Sequence, residues 1–184
     1  MKGLLLSVRP RWCRKILAGE KKSDLRKVRP LTDPPLRCWL YETAGPPEDL
    51  GRGAVVGECT VTGFDEFSRF TDTLTTRKNN VSLVYDRADA RVDTCLTVRE
   101  ILEYMGDGPA YGWRLSEVRA FDEPIPLSSF AKTNGRPFKR PPLSWCYVEE
   151  YKESPGPKPG GQVKGTGVMS SDGHGGRPGG PESS

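Results

Sequence analysis

Histidine is almost missing from this chain. Of 184 residues only His174 is a histidine, and it falls near the C-terminus, so residues 1–152 carry no imidazole. This excludes Ser-His-Asp and Cys-His nucleophile activation, His-ligated zinc and His general-base chemistry from that part of the chain. Long apolar runs are missing too. Nowhere do about 18 apolar residues follow one another, so no membrane span is expected. The opening Leu4-Leu5-Leu6-Ser7-Val8 is too short to serve as the core of an export signal, and the chain reads as cytoplasmic. The five cysteines, Cys13, Cys38, Cys59, Cys95 and Cys146, are widely spread and form no C-x-x-C pair. That spacing argues for reduced, mostly buried thiols and against a thiolate metal site or a disulfide framework. No metal and no cofactor is expected.

Apolar residues make up 35% and charged residues 28% of the chain, but the polarity is concentrated at one end. Residues 153–184 hold 10 Gly and 5 Pro, no aromatic residue, and only Val163, Val168 and Met169 as larger apolar side chains. Such a segment buries too little surface to offset its ordering entropy, and a disordered tail is expected there. Residues 1–152 remain as one domain.

Charge is uneven as well. Residues 1–30 carry ten Lys or Arg against Glu20 and Asp24, a local balance of +8. A cluster of that size either attracts phosphates or forms a solvated basic face.

The pattern of turns and apolar residues predicts an α+β fold. A buried strand over 4–8 precedes Pro10, which suits the first turn of a helix. Trp12, Cys13, Ile16 and Leu17 then form an apolar helix face, and Gly19 suits the left-handed residue that ends it. Further strands are expected over 22–28, 36–41, 54–62, 111–120 and 145–148, with an irregular Pro-rich loop over 30–35. Residues 65–93 read as loop-rich with a small helix near 66–70. Thr97 caps a helix over 98–105 with Glu100 at its third position. Pro124 and Pro126 break the strand after 120, and 127–130 suits one helical turn. The sum is a small β-barrel of five to six strands with two or three short helices, and parallel α/β folding is not expected.

Leu6-Ser7-Val8-Arg9-Pro10, the short helix, and Gly19-Glu20-Lys21-Lys22-Ser23-Asp24-Leu25-Arg26 together resemble the start of an ASCH domain, whose hallmark is G-x-K-x-x-E-x-R. Gly19, Lys21 and Arg26 match, and Asp24 stands where that family has Glu. Leu40-Tyr41-Glu42-Thr43-Ala44 and Val56-Gly57-Glu58 resemble two later ASCH strands. Tyr111-Gly112-Trp113 and the stretch from Pro141 to Glu150 resemble a phage- or prophage-type subgroup. The resemblance spans about residues 3–150 and implies a PUA-like barrel with a cleft floored by the motif. Characterised relatives include nucleic-acid-binding modules, a ribonuclease and an amidohydrolase acting on acylated cytidine.

In an extended segment Asp24 and Arg26 share a face, with Lys22 beside them and Lys21 at the preceding turn. Arg grips phosphate or a guanine edge with paired bonds, Lys acts as a point charge, and Asp accepts from an exocyclic amine. Ser7 and Arg9 sit where the first strand meets the first helix, whose N–H groups are expected to face an anion. Trp12 is assigned to the core, while Tyr41, Trp113 and Trp145 suit either core packing or base stacking. Thr43 offers a hydroxyl to the cleft. The expected binding set is thus Ser7, Arg9, Lys21, Lys22, Asp24, Arg26, Tyr41, Thr43 and Trp113. The expected partner is RNA, a nucleotide or a modified nucleoside, with other proteins as a further option.

An enzymatic alternative is a metal-independent hydrolase with Lys21, Asp24 and Glu58 as catalytic groups. In the amidohydrolase relative a lysine stands at the position of Lys21 and a threonine at that of Asp24, so the lysine matches and the hydroxyl does not. Glu58, flanked by Val56, Cys59 and Val61, is the candidate for the remaining glutamate and is expected to face Lys21.

Overall fold

The computed structural model describes residues 2–70, 73–78, 81–85 and 93–149. The expected disordered tail over 153–184 lies outside the described residues. The strands are β1 (Lys2–Val8), β2 (Ser23–Arg26), β3 (Leu36–Glu42), β4 (Ala54–Phe70), β5 (Thr73–Lys78), β6 (Val81–Tyr85), β7 (Ala110–Ile125) and β8 (Trp145–Glu149). The helices are α1 (Pro10–Leu17) and α2 (Val98–Met105), with 3-10 turns at Pro47–Asp49 and Leu127–Ser129.

Six strands form the main sheet in the order β2-β7-β4-β3-β1-β8, and the β5–β6 hairpin extends from β4. β1 pairs parallel with β3, Leu4 opposite Cys38, and the other described pairs are antiparallel. The sheet is mixed and curled but not closed, which corrects the expected barrel. β2 stands at one end of the order and β8 at the other, and the described strands leave a seam between them.

Three further expectations are corrected. Residues 66–70 continue β4 rather than form a helix, and the segment read as loop-rich holds β5 and β6. Register shifts at Val55/Gly57, Glu58/Thr60 and Val61/Gly63 mark bulges in the part of β4 that the sequence does show as a strand, while residues 66–70 pair regularly with β5. Likewise β7 runs through Pro124, the break coming only at Pro126.

β1 shows why its apolar run is continuous. Leu4, Leu6 and Val8 enter a core beneath α1 with Cys13, Ile16, Cys38, Leu40 and Trp113. Leu5 points the other way, into a second core with Trp39, Tyr41, Phe121, Phe130 and Val148. A strand buried on both faces has no solvent side for polar residues. α2 covers a third cluster, in which Val98, Ile101 and Met105 meet Leu25, Phe67 and Ala110. Thr97 accepts from the Glu100 amide while Glu100 accepts from the Thr97 amide, the reciprocal cap read from the sequence.

Candidate nucleotide cleft

The turn leaving α1 places the site. Gly19 adopts a left-handed φ of 75°. Its amide donates to Ile16 O, and the Glu20 amide reaches back to Lys15 O. This paired closure of the helix end requires the left-handed residue that glycine supplies without strain. It delivers Lys21 beside β2, where its side chain turns inward. Lys21 Nζ donates to Ser23 O at 2.8 Å and Thr94 O at 2.7 Å, and lies 3.5 Å from Asp24 Oδ1. Asp24 Oδ2 in turn accepts from Arg26 Nε at 2.6 Å. Lys21, Asp24 and Arg26 therefore form one chain of cation, carboxylate and cation.

All three are removed from bulk water, and their protonation follows their neighbours. Burial lowers the Lys21 pKa, and the Asp24 charge only partly opposes this. Burial also pushes Asp24 upward, but the Arg26 and Lys21 cations outweigh it and hold the carboxyl below its ordinary value. The two directions are consistent: Asp24 faces two cations, whereas Lys21 faces one carboxylate and loses its water.

Above this floor lies a cleft of about 560 Å³. The end of β1 contributes Ser7 and Val8, Arg9 follows at the cap of α1, and α1 itself contributes Arg11 and Trp12. The opposite wall is α2, with Glu100, Glu103 and Tyr104, and Leu96, Thr43 and Leu143 complete the rim. The volume falls within the roughly 300–1,000 Å³ of small-ligand sites.

Of the residues expected from sequence, Ser7, Arg9, Lys21, Asp24, Arg26 and Thr43 meet in this cleft. Four do not. Lys22 is exposed and outside the lining. Tyr41 is packed in the second core. Trp113 is fully buried in the first core, edge-on to Phe64 and Trp145, although it lies opposite Asp24 in the β2–β7 register.

Glu58 is the fourth, and its expected contact with Lys21 is corrected. It lies opposite Trp39 on the face of the second core, and its carboxylate is gripped by two guanidiniums. Arg37 donates to Oε2 through Nε at 3.1 Å and Nη2 at 2.7 Å, and Arg119 donates to Oε1 from the other side. Burial raises its pKa, but the hydrogen bonds from Arg37 and Arg119 outweigh this and hold it low.

The expected anion site at the start of α1 is also filled from within. The Arg11 amide donates to Asp49 Oδ2 at 3.0 Å, and Arg14 pairs with the other carboxylate oxygen. Asp49 thus plays the anion's part at that helix end.

Sequence reasoning missed Arg11, Leu96, Glu100, Glu103, Tyr104 and Leu143, and it assigned Trp12 wholly to the core. Trp12 does pack against the first core, but its ring also lines the cleft, with Lys21 Nζ at 5.3 Å and the Arg11 guanidinium at 4.6 Å from its centre. For α2 the available signal was its polar face, since Glu100, Glu103 and Tyr104 follow helical spacing opposite the apolar stripe. Among the described residues no group of His, Cys, Asp or Glu is arranged to hold a metal, and no helix is long and apolar enough to cross a membrane.

The arrangement has the fold of solved ASCH proteins. The ASCH protein of Zymomonas mobilis matches with a TM-score of 0.52 at 18% identity, over 80% of this chain and 88% of its own. A Tyr-to-Phe variant of that protein gives 0.53 at 17% identity, over 82% and 93%. A Ser-to-Ala variant gives 0.53 at 17% identity, over 81% and 89%. No protein-family profile matches the sequence, and neither does any curated protein.

Proposed function

We propose that this chain is an ASCH-type binding module that takes one nucleotide of an RNA, or a free modified nucleoside, into the cleft between α1 and α2. The observation that carries the reading is the cleft itself. It combines aromatic walls from Trp12 and Tyr104 with a floor in which Asp24 is a fixed acceptor between two cations. A base offers flat faces to the former and an exocyclic amine to the latter.

The charge distribution favours one unit over a gripped strand. Four of the ten cations of residues 1–30 line the cleft: Arg9, Arg11, Lys21 and Arg26. Three carboxylates line it too, Asp24, Glu100 and Glu103, which leaves a balance of 4 − 3 = +1. Elsewhere in that segment Arg14 is paired with Asp49 and Lys15 with Glu20, and Lys27 donates to Met105 O. The +8 of the opening segment is thus divided between the cleft and partners outside it.

Fluorescence anisotropy of short labelled RNA against salt tests this. Contact with one or two phosphates gives a slope of log K on log salt of roughly −0.7 to −1.4. A slope near roughly −3 would mean a strand gripped by all four cations, and absence of binding to any RNA or nucleoside would end the proposal.

The hydrolase alternative keeps one supporting observation, the buried Lys21 beside Asp24 on the cleft floor. Glu58, held by Arg37 and Arg119, drops out of it. Two carbonyls and a carboxylate surround Lys21 Nζ, matching the three donors of an ammonium, so its part would be a fixed cation facing developing negative charge. Turnover of acylated cytidine or short RNA that disappears in Lys21→Met would support it.

A further inference from the structure

Arg26 matches the last position of the ASCH motif, and an arginine in a cleft floor invites reading as a phosphate anchor. Each of its three nitrogens already has a partner within the protein. Nε binds Asp24, Nη1 lies 3.3 Å from Ser144 O and 3.1 Å from Ser144 Oγ, and Nη2 donates to Ser7 O at 2.7 Å. These partners come from three places: β2 itself, the end of β1, and the residue leading into β8. β2 and β8 are the two ends of the strand order, so the guanidinium spans the seam that the backbone leaves open.

On the β8 side of the seam, two bonds to β1 fix the segment that Arg26 reaches. The Ser7 amide donates to Ser144 O at 2.9 Å, and Ser7 Oγ donates to Pro142 O at 2.7 Å. Leu143 sits between these two anchored carbonyls, and its side chain lines the cleft while remaining fully exposed. A leucine held in water at a cleft mouth by its neighbours' hydrogen bonds gains from any apolar surface that covers it.

We propose that Arg26 is a positioning residue rather than a ligand anchor: its guanidinium latches the seam between β2 and β8 and holds Leu143 over the mouth of the cleft. The ligand part of this inference rests on the nucleotide reading above; the latch does not. Lysine cannot replace it, because a point charge has no planar fork to reach Asp24, Ser7 and Ser144 together.

The test uses the full chain with cytidine and cytidine 5′-monophosphate as probes, together with native-state amide exchange at Ser7. In Arg26→Lys the Ser7 amide is expected to exchange at least tenfold faster. Both probes are expected to lose about tenfold in affinity, so that their ratio stays within twofold of the wild-type ratio. Phosphate anchoring would instead weaken the monophosphate tenfold more than the nucleoside and leave Ser7 exchange unchanged, and that result overturns the proposal. Leu143→Ala, at an exposed side chain, covers the case in which Arg26→Lys does not fold. It is expected to weaken both probes equally by threefold or more, and unchanged affinity for both refutes the latch's role. If the wild-type chain binds neither probe, the nucleotide reading fails for them, and Ser7 exchange alone decides for or against the latch.

Discussion

Replacing Asp24 by Asn keeps the shape of the side chain and removes its charge, which isolates what the carboxylate does. Asn can still accept from Arg26 Nε, so the loss is electrostatic. In the wild type the exposed fractions of the Asp24, Lys21 and Arg26 side chains are 7%, 3% and 12%, so water screens the three charges weakly. Removing one partner of a buried ion pair costs about 3–5 kcal/mol, because the remaining charge is left buried without a counter-charge. Here two cations are left. For a domain of this size each kcal/mol moves the melting temperature by roughly 2–4 °C, so Asp24→Asn is expected to melt about 6–20 °C lower at pH 7. The pH dependence supplies the sign. Asp24 has a folded pKa below its unfolded value, so its contribution is fully present above the ordinary carboxylate range and is lost as pH falls through the folded pKa. The gap between wild type and variant must therefore shrink as pH drops below about 4. Lys21 acts oppositely: burial lowers its folded pKa, so the penalty on its charged form is relieved only as pH rises from that value towards 10.5. Urea denaturation at pH 7 and pH 3 measures the loss from Asp24→Asn and its dependence on pH. A loss below about 1 kcal/mol at pH 7, or a gap that does not change with pH, would refute the electrostatic role assigned to Asp24.

Three further outcomes are expected. Glu117 holds a left-handed φ of 51° at an exposed position of β7, so Glu117→Gly should be more stable than Glu117→Ala by about 1 kcal/mol in urea denaturation, the reverse of the usual order within a strand. A Cβ on Gly112 would lie 2.6 Å from Ser23 Oγ and 2.8 Å from the Phe67 ring, so Gly112→Ala should cost about 1–3 kcal/mol; a cost near zero would mean that β2 shifts freely. Cys13, Cys38 and Cys59 are buried, and burial above all pushes the Cys13 thiol up to about 12. Thiol titration of the native protein at pH 8 should therefore find only Cys95 and Cys146, with the other three appearing on unfolding.

The parts of this fold that sequence revealed are those governed by local chemistry. Pro10 and Gly19 bracket α1 because one needs no amide partner and the other tolerates positive φ, and Thr97 with Glu100 marks the start of α2 in the same way. The Lys21–Asp24–Arg26 floor was legible for a related reason, since neighbours along a turn and strand lie close in sequence, although Thr94, Ser7 and Ser144 complete their bonds. What sequence missed depends on distant segments. Glu58 has apolar flanks that suggested an inward path to Lys21, yet its partners Arg37 and Arg119 lie 21 and 61 residues away. The far end of β4 is held as a strand by its pairing with β7, more than 40 residues on, and it read as loop and helix. Nothing near α2 in sequence shows that Tyr104 faces Trp12 across a cleft, and nothing near Arg26 shows that Ser144, 118 residues on, will take up its guanidinium. The closed barrel was expected because the strands are many and short; the structure substitutes a side-chain bridge for the last backbone pairing.

One titration decides where a ligand meets this molecule. Adding cytidine 5′-monophosphate to the isotope-labelled full chain and following amide resonances reads every wall of the cleft at once. Binding as proposed shifts the amides of Val8, Trp12, Leu25, Leu96 and Tyr104 together and leaves those of Arg37, Glu58 and Arg119 in place. Shifts gathered around Arg37, Glu58 and Arg119, or none at millimolar ligand, would contradict a nucleotide site floored by Lys21, Asp24 and Arg26.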